Sequence, residues 1–246
     1  MKLNIEHLLK KYSLQIENIA QFGAHLGQEI NILMNIANNK IYLFEPQKDI
    51  FEKLLTKTKQ HENIFAFNYG LGSKKSNQYL FVDLENDGQS ASTFEPKEHL
   101  NIFPNINFDL ENKKEIKIEK FDSLNLRVDL ICIDIQGAEL DALKGASNSL
   151  QFTKCLTVEV SRDELYKNQP LIREIDAFLN NKNFIRVKTK WAEGGKFLYG
   201  DAFYVKKSLI SNFEIGKSII KNLFLGKKYI AKLKFFIFRI KYKLKI

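Results

Sequence analysis

Cysteine is almost absent from this chain. Only Cys132 and Cys155 occur in 246 residues, each inside an apolar run (LICID and KCLTVEV) where a small buried hydrophobe is expected rather than a disulfide. That excludes a disulfide-stapled fold and points to a reducing compartment. An export signal is missing too: MKLNIEHLLKKYSL scatters its charges and has neither an apolar core nor a small-residue cleavage site, so a cytoplasmic location is expected. No uninterrupted apolar run reaches the length of a transmembrane helix. Histidine is scarce, and His7, His25, His61 and His99 show no ligand spacing with the cysteines, so no metal site is expected. Oligomeric state leaves no mark in the sequence.

What is present is a chain that is 44% hydrophobic and 12% aromatic, enough to bury one full-sized core. Its net charge of +9 is unevenly placed. From Lys206 onward there are twelve Lys or Arg against one acidic residue, so the tail carries +11 and the first 205 residues a net −2. A slightly acidic body argues against a nucleic-acid groove across it. The expected organisation is an N-terminal helix over 1–14, one α/β domain over 15–206 and a basic amphipathic tail over 207–246.

Between Asn18 and Val187, short apolar runs alternate with segments of helical period, the pattern of βαβ units and a mostly parallel sheet. Strands are expected at 18–22, 40–44, 64–69, 115–119, 128–135 and 155–160, with an antiparallel hairpin near 184–187 and 202–205 closing the body. The helices between them bury Ile30, Leu33, Met34 and Ala37; Ile50, Phe51, Leu54 and Leu55; Leu140, Leu143, Ala146 and Leu150; and Leu171, Ile172, Ile175, Phe178 and Leu179. Residues 83–114 mix Asn, Asp, Gly, Ser and Pro, too long for an ordinary connection, and such insertions are usually functional.

In open parallel sheets ligands bind beyond the carboxyl ends of the strands. After the first strand, Gln21 is followed by Gly23, Ala24, His25 and Gly27, a turn whose glycines let backbone approach a ligand; a tight turn without a ligand is the alternative. After the second come Glu45 and Pro46, at the spacing where a carboxylate accepts hydrogen bonds from both hydroxyls of an adenosine ribose. A first-turn carboxylate favoured by the helix dipole is the competing role. Asn68 and Gly70 follow the third. Together these residues suggest a nucleoside site, and they suit NAD as well as S-adenosylmethionine.

The segment VDLICIDIQGAELDALKGA (128–146) separates the two. It resembles the strand-to-helix signature of the FkbM family of S-adenosylmethionine-dependent methyltransferases, in which a buried strand ends in Asp, then Glu or Gln, Gly, a variable residue and Glu. Other segments fit in order: Phe44-Glu45-Pro46, NDGQSASTF (86–94), Phe121-Asp122-Ser123-Leu124, Val158-Glu159-Val160-Ser161, LYKNQPLIREIDAF (165–178) and Gly200-Asp201-Ala202-Phe203-Tyr204-Val205. The resemblance covers about 15–206 and implies a Rossmann-like class I methyltransferase fold, S-adenosylmethionine as cofactor and a hydroxyl acceptor on a sugar, glycan or lipid-linked glycan. Two positions depart from the pattern. Gln21 stands where the family often has Asp, and brings no negative charge to a cationic cofactor. Gln136 stands where Glu is common, which excludes a catalytic base there.

The sulfonium is already a good methyl donor, so the protein must align a hydroxyl, exclude water and manage one proton. Asp134, at the end of the central strand, is the first candidate base; capping the helix near Gly137 or holding the cofactor's amino group are its alternatives. Glu159, ending the next strand, and His99, in the insertion, are the other two. Ser90, Ser92 and Asn86 are expected to shape the insertion. The tail places Ile215, Ile219, Ile220, Leu223 and Phe224 at helical spacing before YIAKLKFFIFRIKYKLKI. It suits an anionic membrane surface at the inner face, or packing on the body. The competing functions are a NAD-dependent oxidoreductase and a membrane-associated scaffold with the same fold and no turnover.

Overall fold

A computed structural model describes residues 3–84, 87–97, 106–192 and 198–225. Seven strands form one sheet in the order β3 (Ile64–Phe67), β2 (Ile41–Phe44), β1 (Ile19–Phe22), β7 (Leu130–Ile133), β8 (Cys155–Ser161), β10 (Tyr199–Lys206), β9 (Phe184–Trp191). Neighbours from β3 to β8 are parallel, and β10 runs antiparallel between β8 and β9. The sheet is therefore mostly parallel with a closing antiparallel hairpin, as the alternation implied.

The central strands are apolar at consecutive positions because both faces are covered. Ile19, Ile41, Leu43, Leu130 and Cys132 point into one core with α1 (Ile5–Lys11), α2 (Ile30–Ile36) and Leu54 of α3 (Lys48–Thr58). Ala20, Phe22, Phe44, Ile131 and Ile133 point into the other, with α4 (Glu139–Gly145) and α5 (Ile172–Asn181). Helix α1 starts at Asn4, whose side chain accepts from the His7 N–H at 2.9 Å, an N-cap that satisfies one orphan donor. Burial raises the Cys132 thiol to about 12 and lifts Cys155 as well, so both stay protonated, unreactive core groups.

Two expectations change. Leu55 is 47% exposed instead of inward; Ile50 and Leu54 complete the buried stripe of α3 with Phe51 at its edge. The presumed insertion is flanked and ended by strands: β5 (Ser76–Asp83) pairs antiparallel with β6 (Phe108–Glu119), whose first half lies inside it, and β4 (Gly70–Leu71) joins the far side of β6. The small apolar core between β5 and β6 holds Leu80, Val82, Ile116 and Ile118, so most of β6 carries no alternating apolar signal. The loop after β5 returns across the carboxyl ends of the main sheet. It is stitched down by a bridge between Phe81 and Ser92 and by another between Pro96 and Tyr166. Asn86 and His99 lie outside the described residues.

Only the start of the tail is described. Helix α6 (Asn212–Leu225) packs on the body: Ile215 meets the core of the α1 side, Ser218 is buried, and the Asn222 side-chain amide donates to the Arg186 carbonyl at 2.9 Å. Ile219 and Ile220, two of the residues at helical spacing, are exposed, as is Phe213. No helix among the described residues is long and apolar enough to cross a membrane.

Candidate active site at the strand carboxyl ends

Strand order reverses between β1 and β7, and the crevice outside that point is where open α/β sheets bind ligands. Gly23, φ +81°, occupies it, and a Cβ there would stand 2.0 Å from the Asp134 carbonyl oxygen, so only glycine lets the two turns meet. Its N–H and that of Ala24 both donate to the Phe44 carbonyl, at 3.0 and 2.9 Å. Next to this turn opens a cleft of about 720 Å³, continuous with solvent. Phe22 and Phe44 lie on its sheet side, Glu45 and Gln47 on its edge, Leu80, Ile116 and Ile118 of the small sheet opposite, and Asp134 and Gln136 at its inner end.

Glu45 is 3% exposed. Its carboxylate accepts the His25 N–H at 2.9 Å and the Gln47 N–H at 2.8 Å, one on each oxygen. Burial raises its pKa above the ordinary carboxylate value, and the two N–H groups oppose that rise. Each oxygen keeps a second lone pair for a ligand hydroxyl. Asn68 supports the turn from outside, donating to the Glu45 and Pro46 carbonyls at 3.0 and 3.2 Å. Gln47, buried, donates to the Gly88 carbonyl at 3.1 Å, which aims its NH₂ away and leaves Oε1 with no partner.

At the inner end a glutamine organises two carboxylates. Gln136, held in the left-handed region at φ 54°, donates from Nε2 to Asp134 at 2.6 Å and to Glu159 at 3.0 Å. Its Oε1 accepts the buried Tyr166 hydroxyl at 2.8 Å, and its carbonyl accepts the Ser92 hydroxyl at 2.6 Å. Tyr166 also reaches the Ser90 carbonyl at 2.9 Å. Desolvation is the largest influence on the Asp134 carboxyl, and the charge of Asp201 is next; both push it upward. Asp134 is exposed, but to the interior of the two clefts it lines, where protein surrounds it on several sides and desolvates it. The turn after β7 is held by Glu139, whose Oε1 accepts the Ile135 and Gly137 N–H groups at 3.2 and 3.0 Å. Burial lifts that carboxyl to about 7. Asp134 therefore makes no helix cap: the N-cap of α4 is Ala138, without a side-chain bond.

A smaller cleft adjoins Asp134 and is lined by Gln21, Glu29, Cys132, Thr157, Glu159 and Asp201. Gln21 is 5% exposed, and its Nε2 donates to Glu29 at 2.8 Å while its Oε1 has no partner.

Of the residues singled out from sequence, Gly23, His25, Glu45, Pro46, Gly70 and Asp134 line the larger cleft, and Gln21, Asp134 and Glu159 the smaller one. Gly27 packs away from both: a Cβ on it would strike Ile30 and Leu54. Ala24 is buried and Asn68 stands behind the Glu45 turn. The His25 ring turns toward the loop after β5, with Nε2 3.0 Å from the Asp87 carbonyl. Sequence reasoning missed Glu29, Gln47, Tyr166 and Asp83, the last of which accepts the Gly88 and Ser90 N–H groups and shapes the overlying loop. Gln47 and Tyr166 act across 41 and 30 residues, and Glu29 and Asp83 across turns of 5 to 8 residues. Tyr166, inside LYKNQP, was the one segment with a signal, because it belongs to a stretch already matched to the family.

The sequence profile described as Methyltransferase FkbM domain matches residues 21–186. A curated relative, 2-O-methyltransferase NoeI of Sinorhizobium fredii, is 29% identical over 114 residues, 44% of this chain and 46% of its own length. The match thus spans about half of that relative. Among solved structures, magnesium protoporphyrin IX methyltransferase of Synechocystis with bound S-adenosylhomocysteine aligns with a TM-score of 0.48 at 8% identity, over 82% of this chain and 80% of its own. Aeropyrum pernix fibrillarin with bound S-adenosylmethionine gives 0.46 at 16%, over 77% and 66%. With its profile covering two thirds of the residues, including both strand-end turns of the crevice, the chain belongs to the FkbM family of S-adenosylmethionine-dependent methyltransferases.

Proposed function

We propose that this chain is an O-methyltransferase that moves the methyl group of S-adenosylmethionine to a hydroxyl of a sugar, glycan or lipid-linked glycan. The observation that carries the reading is the pair of carboxylates, Asp134 and Glu159, bridged by one amide beside the Glu45 cleft. The cofactor suits the residues present. Two buried amide oxygens, Gln21 Oε1 and Gln47 Oε1, lack donors, and a nucleoside with an amino-acid end brings hydroxyls and an ammonium to supply them. Glu45 would hold the ribose, and Phe22, Leu80, Ile116 and Ile118 offer an apolar slot to the base. When bound, S-adenosylmethionine supplies an activated methyl group on a cationic sulfur.

The chain's own residues then have three tasks. The loop after β5, pinned by Ser92 to Gln136 and by Tyr166 to Ser90, covers the cleft and limits water. Gln136 fixes the Asp134 carboxylate. Asp134, raised above the usual range, takes the proton of the acceptor hydroxyl as it becomes nucleophilic, and Glu159 orients that hydroxyl. The NoeI relative is named for 2-O-methylation, which favours an oxygen acceptor. Arg162 Nε and Trp191 Nε1, buried donors without partners after β8 and at the end of β9, suit an acceptor rich in oxygen atoms. We further propose a cytoplasmic enzyme held at an anionic membrane surface. The exposed Phe213, Ile219 and Ile220 of α6 precede the basic run 227–245 and would enter the lipid interface beside it.

Calorimetric titration with S-adenosylhomocysteine and with NAD, together with Asp134→Asn assayed on a panel of glycan acceptors, tests the reading. Binding of the first ligand alone and a fall in methyl transfer of roughly 100-fold or more in a folded Asp134→Asn protein are expected. Binding of NAD alone overturns it. Activity within a few-fold of the parent protein removes Asp134 as the base.

A further inference from the structure

Gln21 is the neutral wall of a small cleft that is otherwise rich in carboxyls, and the acid bonded directly to it is Glu29. From this geometry we infer that Glu29 supplies the negative charge absent from Gln21, and that the two side chains together bind the ammonium of the donor's amino-acid end. The inference rests on the methyltransferase reading above.

Gln21 is 95% buried, and its amide orientation is fixed because Nε2 donates to the Glu29 carboxylate at 2.8 Å. That leaves Oε1 as a buried acceptor without a partner, in the small cleft it lines with Glu29, Asp134, Glu159 and Asp201. An unmade hydrogen bond at such an atom is a standing cost until a donor arrives. A ligand that relieves this site is both a donor and a cation. A bare metal ion does not suit it, since no group of three or more acidic, His or Cys side chains converges to hold one among the described residues. An ammonium does, as a compact charge with three donors. Asp134 lines both this cleft and the larger one holding Glu45. A ligand with ribose hydroxyls at one end and an ammonium at the other therefore meets two adjoining sites of matching chemistry. Glu29 reaches the place because it begins α2, eight residues beyond Gln21 and across the glycine turn.

The test compares two ligands in calorimetry with the full chain: S-adenosylhomocysteine, which carries the amino-acid end, and 5′-methylthioadenosine, which lacks it. Glu29→Gln should weaken the first by about 10-fold or more, as for a charge-assisted hydrogen bond, and the second by less than about twofold. Exchanging the charge, Gln21→Glu with Glu29→Gln, should return S-adenosylhomocysteine to within about threefold of the parent protein. Unchanged S-adenosylhomocysteine binding in Glu29→Gln, or an equal loss for both ligands, overturns the inference. So does a folded exchange variant that restores nothing, and the single variant decides alone if the exchange melts early. A parent protein that binds neither ligand overturns the methyltransferase reading itself, which distinguishes the two failures.

Discussion

Gln136→Glu puts the bridging role of the amide under the most direct test. In the parent protein Nε2 donates to oxygens 2.6 and 3.0 Å away on Asp134 and Glu159. The variant replaces that donor with a third carboxylate oxygen. Two unit charges ~3 Å apart repel by about 5 kcal/mol at an effective dielectric of about 20, and by about half that once the open side of the cleft screens them. The lost hydrogen bonds to charged groups add to this at about 1.5 kcal/mol or more each. A net destabilisation of about 2–4 kcal/mol is expected where all three groups are ionised, which lowers Tm by about 5–15 °C for a domain of this size. The folded protein escapes by binding a proton, so the new carboxyl titrates above its unfolded value. A carboxyl raised in this way binds more protons folded than unfolded, and stability falls as pH rises from the unfolded to the folded value. Thermal melts of Gln136→Glu against the parent protein should therefore differ little near pH 5 and strongly near pH 8. A Tm loss that is the same at both, or under about 2 °C at pH 8, would refute the bridge.

Glu139→Gln tests the same linkage in the opposite sense. The carboxyl stands at about 7 folded, so the parent protein loses stability as pH rises from about 4.5 to about 7, on the order of 3 kcal/mol. The variant, whose amide oxygen can still accept both N–H groups, should show a correspondingly smaller drop in Tm between pH 5 and 8, and an unchanged drop would deny the burial effect. Glu45→Ala should weaken S-adenosylhomocysteine binding by about 1–3 kcal/mol and also lower Tm, because the His25 and Gln47 N–H groups lose their acceptor; unchanged affinity in a folded variant removes Glu45 from the site. For the membrane reading, a chain ending after Leu225 keeps the α6 contacts at Ile215 and Asn222. It should bind cofactor normally yet fail to sediment with anionic vesicles, whereas the full chain sediments and is released by salt; a full chain that ignores vesicles refutes it.

The legible parts of the fold were those with a one-dimensional physical signal. Strands β1, β2, β7 and β8 are buried on both faces and stand as apolar runs, and α5 repeats Ile172, Ile175 and Leu179 at helical spacing. Strand β6 was legible only over its second half, 115–119; its stretch Leu110 to Glu115 is mostly polar and exposed, and pairing with β5 extends the strand back to Phe108. The site divides in the same way. Glu45 was readable from its spacing to the glycine turn, and Asp134 from its place at the end of an apolar strand inside the segment that resembles the family. Glu29 and Tyr166 were not: their roles come from side chains meeting across 8 and 30 residues, and no local spacing encodes that.

The two glutamines show how far a substitution read from sequence can mislead about charge. In the chain alone, Gln21 reads as a negative charge missing from a cationic site and Gln136 as a catalytic base missing from it. In the fold each is an amide whose NH₂ donates to retained carboxylates, Glu29 in one case and Asp134 with Glu159 in the other. A carboxylate at either position has no hydrogen to donate and would stand against its partner as a like charge. With Glu29, Asp134, Glu159 and Asp201 already lining one small cleft, two further acids would force protons onto several of them and cancel the negative charge they were meant to add. The donor on Asp134 instead opposes the rise that burial and the Asp201 charge impose on it, so an amide there adds no like charge to the cleft.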